Sequence, residues 1–119
     1  MGHCYASVKI YNKDFSKSGE VSLLVDTGST YTWIKKSTLE GLGLVAERKW
    51  RFKTIEGKEI EREIGEVVAE YDDLRATTIV VFGLEGDAEV LGVHTLEGLR
   101  QEVDPITKRL KRAEVLLAI

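Results

Sequence analysis

Val21-Ser22-Leu23-Leu24-Val25-Asp26-Thr27-Gly28-Ser29-Thr30 is an apolar run that delivers a single carboxylate to a turn of small residues. Leu23-Leu24-Val25 reads as a buried strand, and Gly28 with its hydroxyl neighbours ends it in a turn that permits close backbone approach. A carboxylate at the end of such a strand is partly buried, which is costly unless it is hydrogen-bonded. The N–H groups of the turn and the Thr27 and Ser29 hydroxyls are near enough in sequence to supply those bonds. Asp26 is therefore the first candidate for a chemical role, and the remaining segments read as its support.

A chain of 119 residues buries one modest core and is too short for two ordinary domains, so a single domain over 1–119 is expected. Hydrophobic residues make up 43% and charged residues 31%, with both signs interspersed, as in a soluble globular protein. The net charge of −3 gives no footprint for nucleic acid. No apolar run reaches bilayer length and the N-terminus lacks a basic-then-apolar leader, which makes no membrane partner and a cytoplasmic location the expectation. Cys4 is the only cysteine, so no intrachain disulfide can form. His3 and His94 lie far apart and the single thiol, Cys4 beside His3, does not complete a ligand set, which argues against a zinc site, and no other metal is expected.

Upstream of the aspartate, Tyr5-Ala6-Ser7-Val8-Lys9-Ile10-Tyr11 alternates as a strand. After Ile34, a short helical turn capped by Ser37 or Thr38 would face Leu39, Leu42 and Leu44 to the core. Trp50 and Phe52 then alternate with basic residues as in a half-exposed strand, and Glu56-Gly57 marks a hairpin turn. The segment 61–71 reads as a strand buried in its second half, Asp72-Asp73 as a turn, and the β-branched run from Arg75 to Gly83 as the strongest strand signal. A Gly-rich acidic loop leads to Val90-Leu91-Gly92. Beyond it Leu96, Leu99 and Val103 recur at helical spacing, with Thr95 as N-cap and Asp104-Pro105 as the stop. A basic strand over 108–112 and the apolar Ala113-Glu114-Val115-Leu116-Leu117-Ala118-Ile119 close the chain.

Asp26-Thr27-Gly28-Ser29, followed by Tyr31-Thr32-Trp33-Ile34, resembles the active-site turn of the aspartic proteases. Because the chain carries one such turn, the resemblance is to the retropepsin-like family. Val90-Leu91-Gly92 and the helix after it resemble that family's second glycine turn and C-terminal helix. The hairpin at Thr54, Ile55, Glu56, Gly57 and Lys58 resembles its flap. The resemblance is to a cellular, prokaryotic member of that family, and a composition with one Asn, one Gln and one Met leans towards a thermophilic source. Viral members usually pair charges at the places held here by Thr30 and Val93.

The resemblance implies a mostly β fold: a closed β-barrel with a flap hairpin and one short C-terminal helix, forming a homodimer with interleaved terminal strands. Two Asp26 carboxylates on the two-fold axis would share a water and hydrolyse a peptide bond without a covalent intermediate. Carboxylates in contact cannot both ionise easily, so the pair shares a proton and activity leans to acid. Thr27 would lock the two turns together, Gly28 would admit substrate backbone, and Ser29 would hydrogen-bond the carboxylate. Residues 54–58 would cover an extended peptide or unfolded protein, and Val90, Leu91 and Gly92 would wall the groove. No cofactor is implied.

Two other readings compete. Asp-x-Gly-Ser/Thr-Thr also opens the phosphate-binding segments of sugar kinases and actin-like ATPases, but that fold needs a far longer chain and further nucleotide-binding segments. A non-catalytic dimerisation or peptide-binding module would keep the groove without the chemistry. Such a module has no need of two close carboxylates, so the intact Asp-Thr-Gly favours an enzyme.

Overall fold

A computed structural model describes residues 4–115. Among them the elements run β1 (Tyr5–Tyr11), β2 (Ser18–Val25), β3 (Thr32–Lys35), α1 (Lys36–Gly41), β4 (Arg48–Lys53), β5 (Glu59–Tyr71) and β6 (Leu74–Gly83). They continue with β7 (Val90–Leu91), α2 (Val93–Gly98), β8 (Gln101–Val103) and β9 (Leu110–Arg112). The chain is mostly β, as expected.

In β1, Ala6, Val8 and Ile10 face the core while Tyr5 and Ser7 face out, the two-residue period of a strand buried on one side. Its antiparallel pairing with β2, from Tyr5↔Leu24 to Tyr11↔Ser18, carries the chain to Asp26. Hydrogen bonds order the main sheet as β1-β2-β7-β3-β6-β5-β4, and three further pairs, Lys9↔Glu70 to Tyr11↔Val68, join β1 back to β5. Six strands thus form a ring, and β4 hangs from β5 outside it. The expected barrel is therefore a ring-like sheet with an outer arm.

The ring encloses Val8, Ile10, Leu23, Ile34, Val67, Val80, Phe82 and Leu91, with Leu39 of α1 and Leu96 of α2 packed on the same cluster. The β5–β6 hairpin turns at Asp72 and Asp73, both with positive φ (53° and 61°), the left-handed pair a tight two-residue turn requires.

Several expectations change. The helix α2 stops at Gly98 and does not run to Asp104, because Arg100 takes φ 56° and reverses the chain into β8. Val103 is therefore a strand residue, paired with Leu110 of β9. Thr95 is no N-cap: Gly92 holds that position and Thr95 is buried inside the helix. No side chain caps α1, which starts after Lys35. The segment Tyr5–Tyr11 pairs with β2 along its whole length and with β5 only over Lys9–Tyr11. Of the expected C-terminal strand 113–119, residues 116–119 lie outside the described residues; Ala113 is buried and donates its amide to Arg100 O at 2.8 Å.

Candidate active site

The strand β2 ends at Val25, and Asp26 opens the turn that follows. Two-residue β7 lies between the halves of this motif, parallel to β2 (Val25↔Leu91) and antiparallel to β3 (Trp33↔Val90). Residues 64 or 65 positions apart are thereby brought into one knot of backbone hydrogen bonds. Asp26 N–H donates to Leu91 O at 3.0 Å, Val93 N–H to Ser29 O at 2.8 Å, and His94 N–H to Thr30 O at 2.9 Å. Thr30 and Val93, where no charged pair is available, each take part in this backbone knot through the other's neighbour, Thr30 with His94 and Val93 with Ser29.

Gly92 fits because nothing larger can. A Cβ there would fall 2.5 Å from the carbonyl carbon of Tyr31, closer still to its oxygen, and 2.9 Å from Ser29 O. Its φ of −91° suits any residue, so space and not backbone torsion selects glycine.

The carboxylate is half-buried and accepts Gly28 N–H on Oδ1 at 2.9 Å. A Cβ at Gly28 would sit 3.2 Å from that same oxygen, so glycine also keeps space around the carboxylate. Among the described residues no Lys or Arg pairs with Asp26 and no donor meets Oδ2, leaving one oxygen available to an external partner. Thr27 is exposed. The Ser29 hydroxyl donates to Tyr31 O at 2.8 Å and not to the carboxylate, since its single proton closes the turn two residues on.

Val90, Leu91 and Gly92 stand beside the aspartate turn and are buried, so within one chain they brace it from below. The loop before them is pinned by Asp87, which accepts Arg62 Nε at 2.7 Å and Nη2 at 3.1 Å and the Leu84 amide at 2.7 Å. Hydrogen bonding from the Arg62 guanidinium, aided by the Leu84 amide, holds the Asp87 carboxyl below its usual range.

The 54–58 hairpin is closed by Thr54 N–H to Lys58 O (2.8 Å), Gly57 N–H to Thr54 O (2.9 Å) and Lys58 N–H to the Thr54 hydroxyl (3.1 Å). Gly57 takes φ +87°, which its type permits. Ile55 at the tip is fully exposed, beside exposed Glu56 and Lys58. No hydrogen bond among the described residues joins this tip to the aspartate turn. The hairpin arm β4 instead meets β3 and the residue before it through rings: Tyr31 with Trp50 (centroids 5.4 Å) and Trp33 with Phe52 (5.2 Å). His94 adds its ring to Tyr31 at 5.8 Å. The alternation of Trp50 and Phe52 foretold this face; its partners on β3 were not legible.

A buried hydroxyl cluster also escaped the sequence reading. Thr32, Thr78 and Thr95 are each at most 3% exposed. Their Oγ1 atoms lie 2.6 Å (Thr32 to Thr95) and 2.8 Å (Thr78 to Thr95) apart.

Among the described residues no group of three or more His, Cys, Asp or Glu is placed to hold a metal ion, and no helix is long and apolar enough to cross a membrane.

The family profile described as "Aspartyl protease" matches residues 7–88, well over half of the chain. The chain belongs to this retropepsin-like aspartyl protease family. No curated protein matches it. The matched span contains the aspartate turn and the hairpin; Val90-Leu91-Gly92 lies just beyond it.

Proposed function

We propose that the chain is an aspartic endopeptidase that acts as a homodimer, with Asp26 of each protomer meeting across a two-fold axis. Family membership supports a protease hydrolase. What supports the particular residue is Asp26 itself: a half-buried carboxylate, positioned by its backbone and by Gly28, with no ion pair among the described residues and one oxygen free. Aspartic protease chemistry needs two such groups, and the chain has one Asp-Thr-Gly turn, so a second copy supplies the other.

In the proposed reaction one ionised Asp26 takes a proton from water as its oxygen adds to the scissile carbonyl carbon. The partner's Asp26, protonated, donates to the carbonyl oxygen. The resulting gem-diol collapses as the protonated carboxyl gives its proton to the amide nitrogen, the ionised carboxylate takes one hydroxyl proton, and the C–N bond breaks to leave a carboxylic acid and an amine. Thr27, exposed in the single chain, would meet its counterpart across the axis; Gly28 would admit the substrate backbone. The hairpin at Thr54, Ile55, Glu56, Gly57 and Lys58 would close over an extended peptide and exclude water. Neither metal nor organic cofactor enters this scheme.

The test is hydrolysis of a mixed peptide library between acid and neutral pH by wild type and Asp26→Asn, with molecular mass measured in parallel. Cleavage by a wild-type dimer, absent in Asp26→Asn and blocked by a statine-type transition-state mimic, is the expected result. A folded dimer that cleaves nothing across this range would sink the enzyme reading in favour of a binding module.

A further inference from the structure

One peptide group connects the aspartate to the threonine cluster. The carbonyl of Leu91 accepts Asp26 N–H at 3.0 Å, and the amide on the other side of that peptide bond, Gly92 N–H, donates to the Thr32 hydroxyl at 3.0 Å. Thr32 Oγ1 is in turn bonded to Thr95 Oγ1, and Thr95 to Thr78. The chain of bonds runs from the candidate catalytic turn through β3 and α2 to β6. Every hydroxyl in it is buried, and no buried side-chain polar atom among the described residues lacks a partner.

Hydroxyls removed from water are costly when unpaired and polarise one another when linked, so a satisfied buried chain has one preferred arrangement. Apolar side chains would fill this space between β3, β6 and α2 without any such direction. The Leu91–Gly92 peptide is gripped at its oxygen by Asp26 and at its nitrogen by Thr32, and the small Gly92 leaves no slack against Tyr31.

We propose that Thr32, Thr95 and Thr78 are positioning residues for Asp26, fixing the Leu91–Gly92 peptide and hence the backbone that carries the carboxylate. The proposal rests on the protease reading. It assigns Thr95 the central place, because its one hydroxyl joins the other two. Loss of that hydroxyl leaves Thr32 free to rotate and to release Gly92 N–H, which displaces the turn without emptying the core.

Thr95→Val and Thr95→Ser separate this role from simple packing. Activity is measured on a fluorogenic peptide that wild type cleaves, normalised to sites titrated with a statine-containing peptide. Thr95→Val is expected to lose roughly 10- to 100-fold in kcat per titrated site, the scale of an ångström-level misplacement, with KM nearly unchanged. Thr95→Ser, which restores the hydroxyl, is expected to recover most of it. Amide exchange gives a readout independent of catalysis: exchange at Gly92 and Asp26 should quicken in Thr95→Val while Val8 in β1 stays protected. Thr78→Val, which keeps the Thr32–Thr95 bond, is read the same way with a smaller loss should Thr95→Val fail to fold. Wild-type kcat per site and unchanged exchange at Gly92 and Asp26 in the valine variant would overturn the positioning role. Altered exchange with no hydrolysis by wild type would instead locate the failure in the protease reading.

Discussion

Asp26 N–H donates to Leu91 O at 3.0 Å, a single backbone bond that joins a turn near the start of the chain to one near its end. The strand β7 is only two residues long, yet it pairs with both β2 and β3 and so sits under the candidate site. The aspartate is held by its backbone bond to Leu91 and by the Gly28 amide on Oδ1, and its second carboxylate oxygen is left free. Four consequences can be measured.

Gly92→Ala places a methyl group against backbone atoms of Tyr31 and Ser29, which cannot rotate away as a side chain would. Overpacking of this kind costs about 1–3 kcal/mol, and a backbone obstacle puts this site at the upper end. Thermal unfolding of the variant should show a clear fall in Tm, together with loss of hydrolysis. A stable, active Gly92→Ala protein would contradict the close approach.

Arg62 and Asp87 form a two-bond, mostly buried ion pair that anchors the loop before β7. The folded-state value of Asp87 is depressed chiefly by hydrogen bonds from Arg62, so the stability it contributes is present above its unfolded value, near 4, and is lost as pH falls through the folded value. Asp87→Asn should therefore be less stable than wild type at pH 7, by roughly 2 kcal/mol. The gap between their Tm values should narrow below about pH 4. A gap that persists unchanged into acid would show that charge on Asp87 is not its source.

The arm β4 reaches β3 and the residue before it through Tyr31–Trp50 and Trp33–Phe52, with no strand pairing between β3 and β4. Aromatic pairs contribute about 0.5–1.5 kcal/mol beyond their buried area. A double-mutant cycle on Tyr31→Leu and Trp50→Leu should yield a coupling of that size in urea unfolding. In peptide hydrolysis Trp50→Leu should raise KM more than it lowers kcat, because the hairpin arm loses its seat beside the turn. Strict additivity in the cycle would remove the rings as the tether.

Thr27 is exposed beside Asp26 in the single chain, where a second copy is proposed to cover it. Sedimentation at graded protein concentrations should show Thr27→Ala dissociating at concentrations at least about tenfold higher than wild type, equivalent to roughly 1.4 kcal/mol. Thr27→Ser should stay close to wild type. Equal dimer stability in all three would displace Thr27 from the interface.

The residues that could be read in the sequence are those whose local pattern and tertiary setting agree. Ala6, Val8 and Ile10 alternate because β1 is buried on one face, and Asp72-Asp73 marks a turn because those types tolerate positive φ. Asp26-Thr27-Gly28 and Val90-Leu91-Gly92 were recognisable as turns, and the structure brings them together. Thr95 misled because a short hydroxyl residue ahead of an apolar run is also the mark of a helix start. Its true partners, Thr32 and Thr78, stand 63 and 17 residues away, and spacing of that kind leaves no periodic trace. The end of α2 was hidden for a related reason. Arg100 makes the left-handed turn that Gly or Asn usually announces, and Val103 falls by chance on the helical period.

The central claim is that two Asp26 carboxylates from two chains make one site, and mixed dimers test it most directly. Wild type and Asp26→Asn chains are unfolded together, refolded at fixed total concentration, and assayed on one peptide as the wild-type fraction is varied. A shared site predicts activity that follows the square of that fraction, because a dimer with one asparagine lacks half of its chemistry. Activity that falls linearly would mean that each chain hydrolyses with its own Asp26, and the paired-carboxylate account would be wrong.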